Sequence, residues 1–197
     1  MRALLLVFIA CVALTGCSRR TTVASGTIAF LGDSITAGYG LDPGQAYPSL
    51  VAIKGMTILN LGVSGSTTSD GLGRLKTYFD SGGDAHLMVI ALGANDILHG
   101  ADLASTEANL HSLIQTCKEH HVPVLLCGIN IPFKFAAEGL FERVANAEHV
   151  PLLPDLMQGE ETQQRYLQED SMHPNVEGQK IIAAKMQEAL LKNFSFK

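Results

Sequence analysis

The sequence is organised around Gly32-Asp33-Ser34-Ile35-Thr36, which directly follows the apolar run of residues 27–31. A short buried strand that ends in glycine places the next serine at the carboxyl edge of a sheet, where open α/β proteins build their sites. Ser34 is therefore a candidate nucleophile. Gly-Asp-Ser is also an ordinary strand-ending turn, in which the Asp and Ser side chains bond nearby backbone groups. The motif indicates a nucleophile only if other segments of the chain supply a base and a site for an anion.

Five short apolar runs are separated by amphipathic stretches, and each run is continuous rather than alternating. They cover residues 27–31, 56–61, 86–92, 122–127 and 150–153. Continuous runs are typical of strands that are covered on both faces, as in a parallel sheet. The stretches between them carry apolar residues at helical spacing. The pattern predicts an α/β fold, a three-layer sandwich around a five-stranded parallel sheet.

Composition limits the classes of protein that this chain can belong to. With 197 residues, 47% of them hydrophobic and 17% charged, it can bury the core of one domain. The formal net charge is -5 and the basic residues are scattered, so we expect no nucleic-acid partner. We interpret Cys117 and Cys127 as small buried apolar residues, because a helix end and the far end of the next strand are too distant for a disulfide.

The first residues form an export signal. Arg2 precedes the apolar run of residues 3–14, which is typical of a secretory signal and too short to span a bilayer comfortably. The run ends in Leu14-Thr15-Gly16-Cys17, which resembles the lipobox of bacterial lipoproteins, where the cysteine is lipidated and becomes the new N-terminus. The alternative is an ordinary signal peptide with a chance cysteine.

This signal sets the predicted organisation of the chain. We expect a lipoprotein signal peptide over residues 1–16, a polar tether over 17–26 and one folded domain over 27–197. Lipidation of Cys17 would anchor an exported protein to a bacterial cell membrane, with its folded domain in the periplasm.

Two further strand ends carry residues that could stabilise negative charge. Gly62 follows the second run, and its N–H could approach an oxyanion without a side chain in the way, although it could equally be a turn glycine. Asn95 follows the third run, and its amide could donate to charge that develops on a carbonyl oxygen. Alternatively, Asn95 or Asp96 caps the following helix.

The segment Asp170-Ser171-Met172-His173-Pro174 supplies a candidate base. A carboxylate three residues before an imidazole can accept the Nδ1 proton, which leaves Nε2 free to remove a proton from a nucleophile. Pro174 keeps the preceding residue out of helical geometry and suits the first turn of the C-terminal helix. The pattern therefore predicts that Asp170 orients His173.

Taken together, the four segments resemble the SGNH hydrolases, also called GDSL esterases and lipases. That family is named for a serine, a glycine, an asparagine and a histidine, each in its own block, and Ser34, Gly62, Asn95 and His173 stand in these blocks in the family's order. Within that family the chain is similar to the bacterial thioesterase I, protease I and lysophospholipase L1 group and to related arylesterases. The segment 132–149, which helps to shape the acyl pocket, looks shorter than in that group.

The resemblance implies a five-stranded, flavodoxin-like sheet in the hydrolase domain of residues 27–197, and hydrolysis of acyl esters or thioesters without metal or cofactor. Ser34 would attack the acyl carbonyl of a small ester or lipid, His173 would take its proton, and Asp170 would stabilise the imidazolium. The N–H groups of Ser34 and Gly62 and the Asn95 amide would form the oxyanion hole. The alternatives are a carbohydrate O-acetylesterase and a non-catalytic ligand-binding lipoprotein.

Overall fold

A computed structural model describes residues 20–129, 139–157, 159 and 162–197. Its centre is a sheet of five parallel strands: β2 (Gly26–Gly32), β3 (Met56–Gly62), β4 (Ala85–Ala91), β5 (Val124–Cys127) and β6 (Leu152–Leu153). The strand order is β3-β2-β4-β5-β6. These are the five strands that the apolar runs predict, and their parallel pairing confirms the predicted fold class.

The middle strands explain why the apolar runs do not alternate. Every residue of β2 from Ile28 to Leu31 is buried, and the same holds for β4 from Leu87 to Ala91. Successive side chains of a strand point to opposite faces, so a run that is buried throughout needs cover on both sides. Two separate apolar cores provide that cover, one on each face of the sheet.

Seven α-helices flank the described sheet. They are α1 (Ser34–Ala37), α2 (Tyr47–Leu50), α3 (Thr68–Asp80), α4 (Ala94–Leu98), α5 (Leu103–Glu119), α6 (Leu140–Glu148) and α7 (Val176–Asn193). Helices α3, α5 and α6 pack on one face, while α2 and α7 pack on the other. No helix within the described part of the chain is long and apolar enough to cross a membrane.

The structure corrects the predicted tether. Residues Thr21–Val23 form strand β1, which pairs in parallel with the C-terminal strand β7 (Phe194–Phe196). The Arg20 guanidinium also donates to the backbone oxygen of Leu191, at 2.7 Å. The prediction of a free tether is therefore wrong from residue 20 onward. Its beginning, together with Cys17 and the predicted signal peptide, lies outside the described residues.

The two cysteines of the folded body behave as predicted. Cys117 on α5 and Cys127 on β5 are both free and fully buried. Burial raises the pKa of the Cys117 thiol to about 12, and it raises that of Cys127 further still. Both side chains are packing residues in the apolar cores.

Candidate active site

Strand β2 delivers Ser34 to the carboxyl edge of the sheet, as the first residue of α1. Asp33 is the N-cap of this short helix, and its Oδ1 accepts from the N–H of Ile35 at 3.0 Å. One turn later the hydroxyl of Thr36 bonds the buried hydroxyl of Tyr47 at 3.1 Å. The turn that carries Ser34 is thus held both by its own capping group and by the core.

The loop before α7 delivers His173 to the same edge. Asn175 caps α7 by accepting from the N–H groups of Glu177 and Gly178. The N–H of Gln168 donates to the His173 oxygen at 2.8 Å, and the Gln168 amide donates to the Tyr39 oxygen at 2.7 Å. The His173 loop is therefore fixed to the segment that follows the nucleophile.

Three predicted residues meet in one chain of hydrogen bonds. His173 Nε2 lies 2.9 Å from Ser34 Oγ, and His173 Nδ1 lies 2.7 Å from Asp170 Oδ2. The other oxygen of Asp170 accepts from the N–H groups of Met172 and His173, both at 2.9 Å. This geometry lets the imidazole receive the serine proton while the carboxylate holds the opposite ring nitrogen.

The electrostatics of Asp170 suit that arrangement. The backbone hydrogen bond from His173, then the His173 side chain and the N–H of Met172, lower the pKa of Asp170 to about 2. The carboxylate thus stays charged at any pH near neutrality. A charged partner at Nδ1 stabilises an imidazolium and fixes the tautomer that exposes Nε2 to the serine.

Asn95 turns toward the loop after β3 instead of capping its own helix. The N-cap of α4 is Gly93, and the Asn95 amide donates to the Ser66 oxygen at 2.9 Å. Asp96 reaches the first residue of α3 instead, where it accepts from the N–H and the hydroxyl of Thr68 at 2.8 and 2.6 Å. The capping alternative for these two residues is therefore wrong. An amide has two N–H groups, so one of those of Asn95 remains available to a ligand.

Gly62 does not offer a free N–H in this structure. Its N–H donates to Asn60 Oδ1 at 2.9 Å, and the Asn60 amide donates to the Thr36 oxygen at 2.8 Å. A Cβ on Gly62 would lie 2.4 Å from the Ala37 nitrogen, so the glycine permits β3 to approach α1 closely. The structure thus favours a structural role for Gly62, in close packing at the end of β3 and not in the turn that was the alternative.

Gly65 in the same loop is a donor that the sequence reasoning missed. It has a φ of 78°, and its N–H has no acceptor among the described residues. The neighbouring Ser66 oxygen accepts from Asn95, which places Gly65 beside the available amide group. The positive φ explains the glycine, and only the fold shows which glycine of the loop faces the site.

Two further side chains connect the elements of the site, and the sequence patterns did not predict a role for either of them. Arg74 on α3 donates to the Gly32 oxygen at 3.0 Å and to the Ser66 hydroxyl, so it joins the nucleophile turn to the loop after β3. Gln179 on α7 is 1% exposed; it accepts from the Tyr47 N–H at 2.8 Å and donates to the Ile35 oxygen at 3.2 Å. No local motif reveals contacts between residues so far apart in sequence.

Exposed apolar side chains share the carboxyl edge with the hydrogen-bonded residues. Of the five large apolar side chains exposed in the described part of the chain, four lie on loops and short helices at the carboxyl edge: Tyr39, Val63, Leu98 and Met172. The Tyr39 ring lies 4.6 Å from that of His173. A groove of about 1040 Å³ runs along α3 from the Ser64–Ser66 loop without including Ser34 or His173. Of the predicted pocket wall 132–149, only the part from Gly139 onward is described.

A serine, an imidazole and a carboxylate joined in this order define a serine hydrolase by geometry, whatever fold carries them. Comparison with known proteins agrees with that class. Residues 30–181 match the model of the GDSL-like lipase/acylhydrolase family. The chain therefore belongs to that family, and it is an SGNH-type serine hydrolase that acts on ester bonds.

Individual relatives extend over most of the chain. Esterase TesA of Pseudomonas aeruginosa is 34% identical over 91% of this chain and 92% of its own length. Thioesterase 1/protease 1/lysophospholipase L1 of Escherichia coli is 31% identical over 81% of both chains. The crystal structure of the psychrotrophic esterase EstA from Pseudoalteromonas sp., inhibited by monoethylphosphonate, is 26% identical, with a TM-score of 0.79 over 84% of this chain and 97% of that one.

Proposed function

We propose that the protein hydrolyses esters or thioesters of apolar acyl groups through a covalent acyl-enzyme on Ser34. The observation that carries the proposal is the unbroken Ser34–His173–Asp170 hydrogen-bond chain, with distances of 2.9 and 2.7 Å. The apolar rim of Tyr39, Val63, Leu98 and Met172 supports an apolar acyl or aryl substrate. The relatives named thioesterase, lysophospholipase and esterase support the same range of substrates.

The reaction divides into two halves. Ser34 Oγ attacks the acyl carbon while His173 Nε2 takes the hydroxyl proton, and the imidazolium then protonates the leaving alcohol or thiol. Water, deprotonated by His173, next attacks the acyl-enzyme; the acid leaves and Ser34 recovers its proton. Asp170 stays ionised throughout and stabilises the imidazolium in both halves.

The oxyanion of each half needs donors at the carboxyl edge. The Ser34 N–H has no acceptor among the described residues, and the second N–H of Asn95 is available at the same edge of the sheet. Gly62 was the sequence-based third donor, but its N–H is held by Asn60. We assign that role to Gly65 instead.

A substrate panel tests the proposed function. The wild-type protein should hydrolyse p-nitrophenyl esters from acetate to palmitate with a preference for chains longer than acetate, and acyl-CoA and lysophospholipid should be included. Ser34→Ala is the matched control, and a phosphonate ester should label the wild type but not the variant. Strict preference for acetylated carbohydrate would contradict the apolar-acyl assignment. Ligand binding without turnover would favour the non-catalytic alternative.

A substitution of Asn95 tests the oxyanion assignment. Because its amide bonds the oxygen best once charge has developed, Asn95→Ala should lower kcat by roughly 10²- to 10³-fold with little change in KM. Steady-state kinetics with p-nitrophenyl butyrate measures both constants. A higher KM with unchanged kcat would show that Asn95 serves substrate binding alone.

The location of the protein belongs to the same proposal. The lipobox-like Leu14-Thr15-Gly16-Cys17 supports export and acylation of Cys17, which would anchor the hydrolase domain to a bacterial membrane in the periplasm. Mass spectrometry of the N-terminal peptide of the mature protein tests this. A mature chain that begins at another residue and carries no lipid would overturn the anchor without affecting the esterase assignment.

A further inference from the structure

The amino edge of the sheet, opposite the site, carries a cluster of cations that we call the basic face. A groove of about 620 Å³ at this edge is lined by Arg20, Lys54 and Lys197 and by no carboxylate side chain. Lys192 lies next to it in the last turn of α7. The residues that line this groove thus supply cationic side chains and no anionic ones, although the whole chain carries a net charge of -5.

The lysines of the basic face do not serve internal ion pairs. The side chains of Lys54, Lys192 and Lys197 have no carboxylate partner among the described residues. All three lysines are exposed. Their charge is therefore available to an external anion.

The chain enters the fold at the basic face. Arg20 bonds the Leu191 oxygen, and β1 pairs with β7 from Thr21 onward. Cys17 precedes Arg20 by three residues, which span at most about 10 Å when fully extended. The attachment point of a lipid on Cys17 must therefore lie within that distance of the basic face.

The hydrogen-bonded Ser34 and His173 lie at the other end of the molecule. Strand β2 has seven residues, so it separates the two edges by about 20 Å. Helix α7 has 18 residues, begins just after His173 and ends at the basic face, which gives a length of about 27 Å. Both measures exceed the reach of about 10 Å between Arg20 and Cys17, so Cys17 itself cannot approach Ser34 while β1 stays paired.

We propose that the basic face rests on an anionic lipid surface and that the active site faces away from it, into the aqueous compartment. The inference rests on the proposed acylation of Cys17 for its anchor. Phosphates of an anionic bilayer match the lysines, whose attraction acts over about 8 to 10 Å and so requires close approach. The substrates are then esters dissolved in water or presented by a facing structure, not lipids of the anchoring bilayer.

The apolar rim defines the opposite orientation. In that orientation the apolar rim would insert into the membrane, so the active site would face the lipid and the basic face would point away from it. The two orientations differ in which edge of the sheet contacts lipid headgroups. A short-range probe on each edge therefore distinguishes them.

The test uses the mature full-length protein in vesicles of equimolar phosphatidylcholine and phosphatidylglycerol. One variant, Lys54→Cys, carries a fluorophore on the basic face; the matched variant, Gly44→Cys, carries it at the exposed turn after α1, where an added side chain meets nothing within 4 Å. Spin-labelled lipid headgroups should quench the probe at position 54 several-fold more strongly than that at position 44. Equal quenching, or stronger quenching at position 44, would overturn the proposal.

Two further measurements separate this inference from the proposed function. Lysophospholipid in the enzyme's own vesicles should be hydrolysed no faster than lysophospholipid in separate vesicles; a several-fold advantage for the shared vesicles would overturn the inference while confirming the esterase. If mass spectrometry finds no lipid on Cys17, flotation of the mature chain with the same vesicles tests the basic face alone. Loss of flotation in Lys54→Gln/Lys192→Gln would then support the proposal, and no flotation of the wild type would overturn it.

Discussion

Two aspartates stand at the two turns that form the active site, and they share one local motif. Asp33 accepts from the N–H two residues ahead, that of Ile35, and Asp170 does the same with Met172. Their surroundings differ, since Asp33 is 3% exposed whereas the side chain of Asp170 is 40% exposed.

The two carboxyl groups have opposite pKa shifts. Burial raises the pKa of Asp33 to about 6, and the hydrogen bond from Ile35 and the nearby His173 and Arg74 oppose that rise only in part. Hydrogen bonds from His173 and Met172 lower the pKa of Asp170 to about 2. A turn motif therefore does not determine the role of its carboxylate. The exposure of each carboxylate to solvent, and the group that bonds its second oxygen, decide which of the two aspartates can stabilise an imidazolium.

The largest expected effect comes from Ser34, which lies on the first of these two turns and bonds His173 on the second. Because the serine, histidine and aspartate act as a unit, Ser34→Ala should lower kcat by about 10⁶-fold. Folding should be unchanged, since among the described residues Ser34 Oγ bonds only His173. Turnover of p-nitrophenyl butyrate measures the loss. A variant that works near the wild-type rate would remove Ser34 from the mechanism.

Substitution of Asp170 should have the next largest effect. In Asp170→Asn the amide can no longer serve as a charged acceptor for His173 Nδ1, so kcat should fall on the order of 10⁴-fold. Kinetics on p-nitrophenyl butyrate, with Asp33→Asn as the matched control, tests the comparison directly. Equal losses in the two variants would show that the two carboxylates are not functionally distinct.

Asp33→Asn should change stability more than activity, with kcat within about tenfold of the wild type. In the unfolded chain the Asp33 pKa is near 3.8, and in the folded chain it is about 6, so the folded protein binds more protons between these values. Stability contributed by protonated Asp33 is therefore present below the lower value and lost as pH rises through about 6.

An asparagine keeps the acceptor for Ile35 and does not titrate. The stability of Asp33→Asn relative to the wild type, as a free energy of unfolding, should therefore depend on pH. It should be about 1 to 3 kcal/mol more favourable at about pH 8 than at about pH 4. Urea denaturation of both proteins at the two pH values measures the difference. A variant whose stability follows the same pH dependence as the wild type would show that Asp33 is not the buried titrating group.

The smallest effect should come from the backbone of the exposed turn. Ser171 has a φ of 57°, a conformation that glycine adopts without strain. Ser171→Gly should change the free energy of unfolding by less than about 1 kcal/mol and leave kcat intact, because the hydrogen bonds of Asp170 keep the loop in place. Thermal unfolding and kinetics check both. A large loss of kcat would mean that the serine itself holds the loop.

The sequence predicts features that depend on local pattern and fails where distant residues meet. The five strands follow from continuous apolar runs, and Ser34, Asp170, His173 and Asn95 follow from polar residues at strand or helix ends. The β1–β7 pair could not be predicted, because each strand has only three residues and their partners are more than 170 positions apart. The bond from the Gly62 N–H to the Asn60 side chain could not be predicted either, because the glycine pattern does not reveal which acceptor that N–H meets.

The pairing of β1 with β7 brings the two ends of the described chain to the same edge of the molecule, the one that lies farthest from Ser34. A short linker could therefore close the polypeptide into a ring, and the ring could be reopened elsewhere by circular permutation. Gly100, an exposed turn glycine just after α4, lies at the carboxyl edge. If a lipoprotein leader were joined to a chain that begins at Gly100, the enzyme would be anchored by its carboxyl edge. Ser34 would then face the membrane.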